Sequence, residues 1–177
     1  MTLEAIYYFS QIVAVVGIFA SLIFVGLQVR QNTKAIKATS HHAITDSFNA
    51  INNLILSDPK VARIWRLALA GSEELNEDER ISANFMLLAN MRIFETLYYQ
   101  YKNGTLDKKL FDAELKTLKW AVTLPGFLAW WPNNPISLSD EFRAFIDGLI
   151  RDAQRETAHA AGAASTASAT DIRRPSS

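Results

Sequence analysis

The sequence predicts an all-α fold: a single N-terminal transmembrane helix continues into a small helical bundle and is followed by a disordered C-terminal tail. Three observations predict it. No charged side chain occurs from Ala5 to Val29. From Ile36 to Arg155, apolar residues recur at the three- and four-residue spacing of amphipathic helices, and nothing reads as a strand. After Arg155 the chain consists mainly of Ala, Ser and Thr. The corresponding segments are 1–29, 30–155 and 156–177.

Composition limits the function classes. The 177 residues carry a formal net charge of zero, so no global field favours nucleic acid as a partner. The chain contains no Cys, which excludes disulfides, thiolate metal sites and a cysteine nucleophile. Its length suits one domain with appendages.

The uncharged segment is long enough to cross a bilayer. A hydrocarbon core needs about 20 helical residues, and Ala5–Val29 exceeds that length. Tyr7 and Tyr8 lie near its start, where amphipathic rings favour the membrane interface. Gln28 falls at the other edge, within reach of headgroups or water. We therefore expect contact with a lipid bilayer.

Two other interpretations of this segment remain open. A cleaved signal peptide has a basic start and a shorter apolar run, whereas this chain begins "MTLEA", with an acid and no Lys or Arg. The second interpretation is that the segment forms a buried helix of a soluble protein. The remaining residues could hardly surround so long an apolar helix on every side.

The flanking charges predict the orientation. Glu4 precedes the segment, whereas Arg30, Lys34 and Lys37 follow it. Because cationic residues favour the cytoplasmic side, we expect the N-terminus outside and the rest of the chain in the cytoplasm, anchored in the inner membrane. The three cations are candidate contacts for anionic headgroups, worth about 1 kcal/mol each.

Small residues recur on one face of the predicted span, at Ser10, Ala14, Gly17 and Ser21. Steps of four, three and four residues align them, and small side chains let two helices approach closely. This face is a candidate for helix packing in a homo-oligomer or against a membrane-protein partner. The alternative is chance, because small residues are common in spanning helices.

The first helix is expected to continue past the membrane, since neither Gly nor Pro occurs between Gln28 and Asp58. A break near "NTK" or "TSHH" remains open. Asp58 and Pro59 predict the N-cap and first residue of a second helix, and Gly71 predicts its end. On the first helix, apolar residues recur at helical spacing at Ile36, Ile44, Phe48, Ile51 and Ile55. The residues expected to face inward on the second helix are Val61, Ile64, Trp65 and Leu69.

A third helix is predicted from about Glu77 to Asn103, because Asn76 and Glu79 have the spacing of a capping box. Gly104 is expected to end it. Its inward-facing stripe is predicted to be Ile81, Phe85, Leu88, Met91, Phe94, Tyr98 and Tyr101.

The fourth helix is predicted from about Leu106 to Thr123, with Trp120 among its core residues. "LPGF" ends it, "GFLAWW" forms a short aromatic turn, and Ser139 is the expected N-cap of a last amphipathic helix. The apolar stripe of that helix is predicted to be Phe142, Phe145, Ile146, Leu149 and Ile150. The segment after it buries too little to offset its ordering and is expected to be disordered.

No pattern for a catalytic or cofactor site stands out. There is no Gly-rich phosphate loop, nucleophile elbow or HExxH. His41, His42 and Asp46 are the nearest approach to a metal-ligand cluster. His42 and Asp46 share a helix face, but a site needs three or four ligands, and we interpret them as a solvated surface. We expect no catalytic residue, no metal and no cofactor.

Two groups remain as candidate sites. Arg92, Glu95 and Tyr99 could line a small polar pocket, although an ion pair between Arg92 and Glu95 that fixes helix packing is the simpler interpretation. Trp130 and Trp131 are adjacent, and both cannot face the core from one helical turn. One is therefore expected to be exposed, as a candidate partner surface.

Several stretches resemble a widespread set of small, uncharacterised bacterial proteins: "VGLQVRQNTKAIKA", "AITDSFNAINNLILSDPKVARIWRLALAG", "ETLYYQYKNGTLD", "LPGFLAWW" and "LSDEFRAFIDGLI". The resemblance extends to about Arg155. It implies one N-terminal membrane span and a helical cytoplasmic domain, but no activity and no catalytic residue.

The expected function is therefore non-enzymatic: a membrane-anchored interaction module, or an accessory or regulatory module, at the cytoplasmic membrane face. The alternative is a small-ligand sensor or an enzyme that uses the pocket around Arg92, Glu95 and Tyr99.

Overall fold

The regular structure of the chain is helical throughout the described residues, which are 3–134 and 137–171 of a computed structural model. This confirms the predicted all-α class. The chain divides into two compact units, Met1–Ala43 and Ile44–Ser177. A 3-10 turn, Trp131–Asn133, follows the fifth helix. The α-helices are α1 Leu3–Ser57, α2 Pro59–Ala70, α3 Glu77–Lys102, α4 Lys108–Ala121, α5 Pro125–Trp130 and α6 Asp140–Asp171.

Helix α1 runs without interruption for 55 residues. The break considered near "NTK" or "TSHH" is therefore not present. Neither Gly nor Pro interrupts this part of the sequence, and the Thr33 hydroxyl donates to the carbonyl of Val29, at 2.9 Å, within the same helix. Its first half, in the first unit, is covered by exposed apolar side chains.

That exposure is uniform along the apolar segment. Between Tyr7 and Val29 the large apolar side chains are from 46% exposed, at Val15, to 68%, at Phe9. Among the described residues, one helical stretch, Tyr7–Ser57, is long and apolar enough to cross a membrane, judged by length and composition. None of its most apolar window is buried.

The predicted helix boundaries of the second unit are confirmed where a cap defined them. The Asp58 side chain accepts from the amide of Lys60, Pro59 opens α2, and Gly71 ends it with a φ of 68°. Asn76 and Glu79 form the predicted capping box at the start of α3. Side chains that satisfy the free amides of a first turn thus explain where these helices begin.

One side of α3 is buried, and it confirms the predicted stripe only in part, at Met91 and Phe94. The buried residues are Ala83, Leu87, Met91, Phe94 and Leu97, whereas Ile81 is exposed and Phe85 is 63% exposed. Ala83 clusters with Ile64, Leu67 and Ala68 of α2. The close approach of α2 at this small residue turns Ile81 and Phe85 toward solvent.

The main core lies where α6 meets the other helices of the second unit. Phe142 and Ile146 of α6 are wholly buried and cluster with Met91 and Phe127. Both had been predicted to lie in the apolar stripe of α6. Trp120, predicted as core, is instead 59% exposed, because Phe111 and Leu118 occupy the buried positions of α4.

The segment predicted to be a disordered tail begins inside α6, which continues as a helix to Asp171. Alanine has the highest helix propensity, which favours helix in this Ala-rich stretch. Residues 172–177 lie outside the described part of the chain. Disorder of 156–177 in solution stays a prediction.

The end of α2 and the start of α5 come into close contact at Gly71 and Gly126. A Cβ atom added to Gly126 would lie 1.7 Å from the carbonyl oxygen of Ala68 and 2.8 Å from the amide nitrogen of Gly71. Both neighbours are backbone atoms, which cannot move aside as a flexible side chain can. Only glycine therefore allows this contact.

We expect Gly126→Ala to destabilise the second unit by about 2 kcal/mol or more, because a methyl group has to push two helices apart. The measurement is thermal unfolding of the full chain in mild detergent. Gly148→Ala in α6 is the matched control, since its Cβ would meet no atom nearer than the Arg151 guanidinium at 3.9 Å. Equal melting temperatures for the two variants would contradict the close contact.

Glu79 is a buried carboxylate whose charge is held by its partners. It accepts from the backbone amide of Asn76, at 3.1 Å, and pairs with Arg63, at 2.9 Å. The amide, followed by Arg63 and Lys60, lowers its pKa below the usual 4.5, against the opposing effect of burial. The ionised form is therefore the stabilising one.

The stability that Glu79 contributes should be complete above the unfolded-state pKa and lost as pH falls through the lower folded-state value. We expect Glu79→Gln to be less stable than wild type at pH 7, with the difference shrinking once the pH falls below about 4.5. Unfolding curves at several pH values measure this. Glu74→Gln, at an exposed position, is the control, and a pH-independent deficit in Glu79→Gln would refute the assignment.

Candidate functional site

The second unit contains a groove of about 480 Å³ lined by residues of α1, α2, α3, α4 and α5. Its volume lies in the range of small-molecule pockets. The aromatic residues that line it are Phe48, Trp65, Phe94, Trp120 and Phe127, and the polar ones are Thr45, Asn49, Asn52, Asn90, Glu114 and Thr117.

Aromatic rings form much of the groove. Phe48 of α1 packs edge-to-face on Phe94 of α3, with their ring centroids 5.3 Å apart. Trp65 of α2 is half-buried, and Trp120 of α4 keeps more than half of its surface in solvent. Indole surface that is not buried in the core is therefore accessible in the groove.

Glu114 is the one charged side chain among the described residues that line the groove. It is half-buried, and no hydrogen bond or ion pair described in the second unit involves it. Asn49, Asn52 and Asn90 add amide groups, each of which can donate and accept. The groove therefore combines apolar surface, neutral polar groups and a single negative charge.

Each wall comes from a helix face with regular spacing. Positions 45, 48, 49 and 52 lie on one face of α1, and 87, 90, 91 and 94 lie on one face of α3. Glu114, Thr117 and Ala121 do the same on α4. This mixture of polar and apolar residues within one face was the sequence signal for the groove, but it becomes a site only when the helices are brought together.

The predicted pocket residues are partly brought together elsewhere. A Glu95 carboxylate oxygen accepts from the backbone amide of Ser139, at 2.7 Å, and the Tyr99 and Ser139 hydroxyls are 2.8 Å apart. Arg92 is exposed, and no ion pair of the described residues joins it to Glu95. Glu95 thus binds the start of α6, near the predicted N-cap Ser139, whose hydroxyl accepts from the Phe142 amide.

A second polar cluster next to this cap was not anticipated. Glu141 accepts from the Tyr98 hydroxyl, at 3.1 Å, and pairs with Lys102. Lys102, followed by the hydroxyls of Tyr98 and Tyr99, lowers the pKa of the Glu141 carboxyl. The cluster joins the end of α3 to the first turn of α6. We interpret the cluster as a structural link between these two helices.

The prediction that Trp130 or Trp131 is exposed is wrong: the two are 9% and 5% exposed. The Trp130 indole donates to the Asn84 side chain and the Trp131 indole to Asp147, both at 2.7 Å. The chain changes from α5 to a 3-10 turn between the two residues, so both rings reach the core. They offer no partner surface.

The small-residue face of the first unit is exposed along α1. The Ser10 hydroxyl donates to the carbonyl of Tyr7 and the Ser21 hydroxyl to that of Gly17, so both are satisfied within the helix. A Cβ atom on Gly17 would meet nothing within 4 Å. Packing through Ser10, Ala14, Gly17 and Ser21 stays a prediction.

The basic residues after the apolar segment also lie at the surface. Arg30 and Lys34 are exposed, and Lys37 is half-buried. The headgroup contacts proposed for them stay a prediction. Among the described residues, no group of three or more potential ligands is arranged to hold a metal ion, and this includes the region of His41 and His42.

Comparison of the chain with protein-family models, with curated proteins and with solved structures finds no match. The resemblance to small bacterial membrane proteins therefore remains an expectation from the sequence. We base the functional proposal on the exposed apolar surface of the first unit and on the groove of the second unit.

Proposed function

We propose that this chain is a single-pass membrane protein whose helical second unit acts as a non-enzymatic interaction or accessory module at the cytoplasmic membrane face. The observation that carries the proposal is the exposure of the apolar half of α1. Fifteen large apolar side chains between Tyr7 and Val29 are exposed. Transferring them out of water is favourable by an amount on the order of 20 kcal/mol.

A bilayer suits this segment better than a protein partner would. The apolar side chains occupy every side of the helix, so a partner would have to enclose it completely. Lipid does so without specific packing, and the intrahelical hydrogen bonds satisfy the backbone. The hydroxyls of Ser10 and Ser21 bond within the helix and need no partner.

The charges on either side support the proposed orientation. Arg30, Lys34 and Lys37 follow the apolar segment, and Glu4 precedes it. The N-terminus then lies outside and the second unit in the cytoplasm of a bacterial cell. The small-residue face remains available for a second copy or another membrane protein.

The second unit supports an interaction role through its own exposed apolar residues. Ile81 and Phe85 lie one turn apart on α3 and are both more than half exposed. Contiguous exposed apolar surface can mark a protein contact site, and this pair is our candidate for its centre. They replace Trp130 and Trp131, which are buried, as the candidate partner surface.

A second candidate function is small-ligand sensing, which the groove favours. The candidate binding site is then the groove around Trp65, Trp120 and Glu114. It replaces the pocket predicted around Arg92, Glu95 and Tyr99. Membrane anchoring and ligand sensing are compatible in one chain. The groove belongs to the second unit alone.

The full chain should sediment with membranes and be released by detergent but not by high salt, because lipid burial rather than charge holds it there. Ile18→Lys combined with Leu22→Lys should release it, since each charge at the centre of a span costs about 3 kcal/mol. The matched control is Ile81→Lys with Phe85→Lys, which should leave sedimentation unchanged. A wild-type chain that stays in the detergent-free supernatant would refute the proposal.

The basic cluster should determine orientation. Replacing Arg30, Lys34 and Lys37 by Glu removes the positive charge after the span, so a reporter fused to the C-terminus should move from the cytoplasm to the outside in a fraction of the molecules. Replacing Lys108, Lys109 and Lys116 by Glu changes net charge equally and should have no effect. A reporter that remains wholly cytoplasmic in the first variant would count against the assigned role.

A further inference from the structure

We propose that the groove of the second unit binds an amphipathic organic cation, with an ammonium group near Glu114 and an apolar body against Trp65 and Trp120. This inference rests on the second candidate function, small-ligand sensing, and names the ligand class. It does not depend on how the first unit meets the membrane.

The charge of the groove determines the sign of the ligand. Glu114 is the single charged side chain among the described lining residues, and no described ion pair neutralises it. A half-buried carboxylate attracts a cation more strongly than one in open water, because water screens the charge less there. An anionic ligand would be repelled.

The aromatic surface also favours a cation. Trp120 lies on α4 with Glu114 and is 59% exposed, while Trp65 faces the same groove from α2. The face of an indole is the best aromatic partner for an ammonium group. An indole also buries a large apolar area against a ligand, so the two tryptophans can hold both parts of an amphipathic cation.

Shape and polarity agree with this class. The groove has a volume of about 480 Å³, enough for an apolar chain or ring with a charged head. The side-chain oxygens of Asn49, Asn52 and Asn90 can accept hydrogen bonds from an ammonium group. Phe48 and Leu69, which are only partly buried, provide further apolar surface for the body of the ligand.

The test uses three probes that share one apolar body: 4-phenylbutylammonium, 4-phenylbutanol and 4-phenylbutyrate. The full chain, with ¹⁵N-labelled tryptophan, is placed in nanodiscs of neutral phosphatidylcholine. Titrations follow the indole N–H signals of Trp65 and Trp120, assigned by Trp→Phe variants. Because the probes differ in their head group, their relative affinities isolate the effect of charge.

We expect the ammonium probe to bind about tenfold more tightly than the alcohol, and the carboxylate to bind most weakly. Glu114→Gln should remove the preference for the cation, whereas Glu74→Gln, at an exposed position outside the groove, should keep it. The comparison of probes on the wild-type chain needs no variant, so misfolding of Glu114→Gln could not hide a negative result.

The other outcomes distinguish the cation inference from the proposed sensing function. Equal binding of ammonium and alcohol would overturn the cation inference but leave a ligand groove in place. Tighter binding of the carboxylate, or an unchanged preference in Glu114→Gln, would overturn it as well. If no probe shifts the Trp65 or Trp120 signals, both the cation inference and the sensing function are refuted.

Discussion

The apolar side chains described in the first half of α1 are exposed rather than buried in a core. From Tyr7 to Val29 they are exposed on every side of one continuous helix. A soluble helix of this length would bury one face and show a polar one, as α2 does with Ile64 and Leu67 buried and Arg63 and Arg66 exposed. The need to remove this surface from water is the constraint that determines the environment in which the chain is stable.

In the second unit, by contrast, helices bury their apolar faces against one another. They do so with side-chain caps at the starts of α2, α3, α4 and α6, with a glycine contact between α2 and α5, and with a core around Phe142 and Ile146. That packing uses one face of α4 and leaves Trp120 outside. The exposed indole and the uncompensated Glu114 are what remain for binding.

Local signals in the sequence predicted the local structure well. Asp58, Gly71 and the Asn76–Glu79 box define helix ends through bonds within a few residues, so they can be recognised without a fold. The buried face of α3 depends on where α2 approaches, so Phe85 was assigned wrongly. The burial of both Trp130 and Trp131 depends on the change to a 3-10 turn, and the groove required helices distant in sequence.

The most direct test of the central claim uses the absence of native Cys, which lets a single introduced Cys carry a spin label. Labels are placed one at a time from position 9 to position 27 in the full chain in liposomes, and their collisions with oxygen and with a water-soluble nickel complex are compared. The account predicts higher oxygen than nickel accessibility throughout, with a maximum near Ile18. Nickel accessibility at the central positions, or labels immobilised there by protein contacts on all sides, would contradict it.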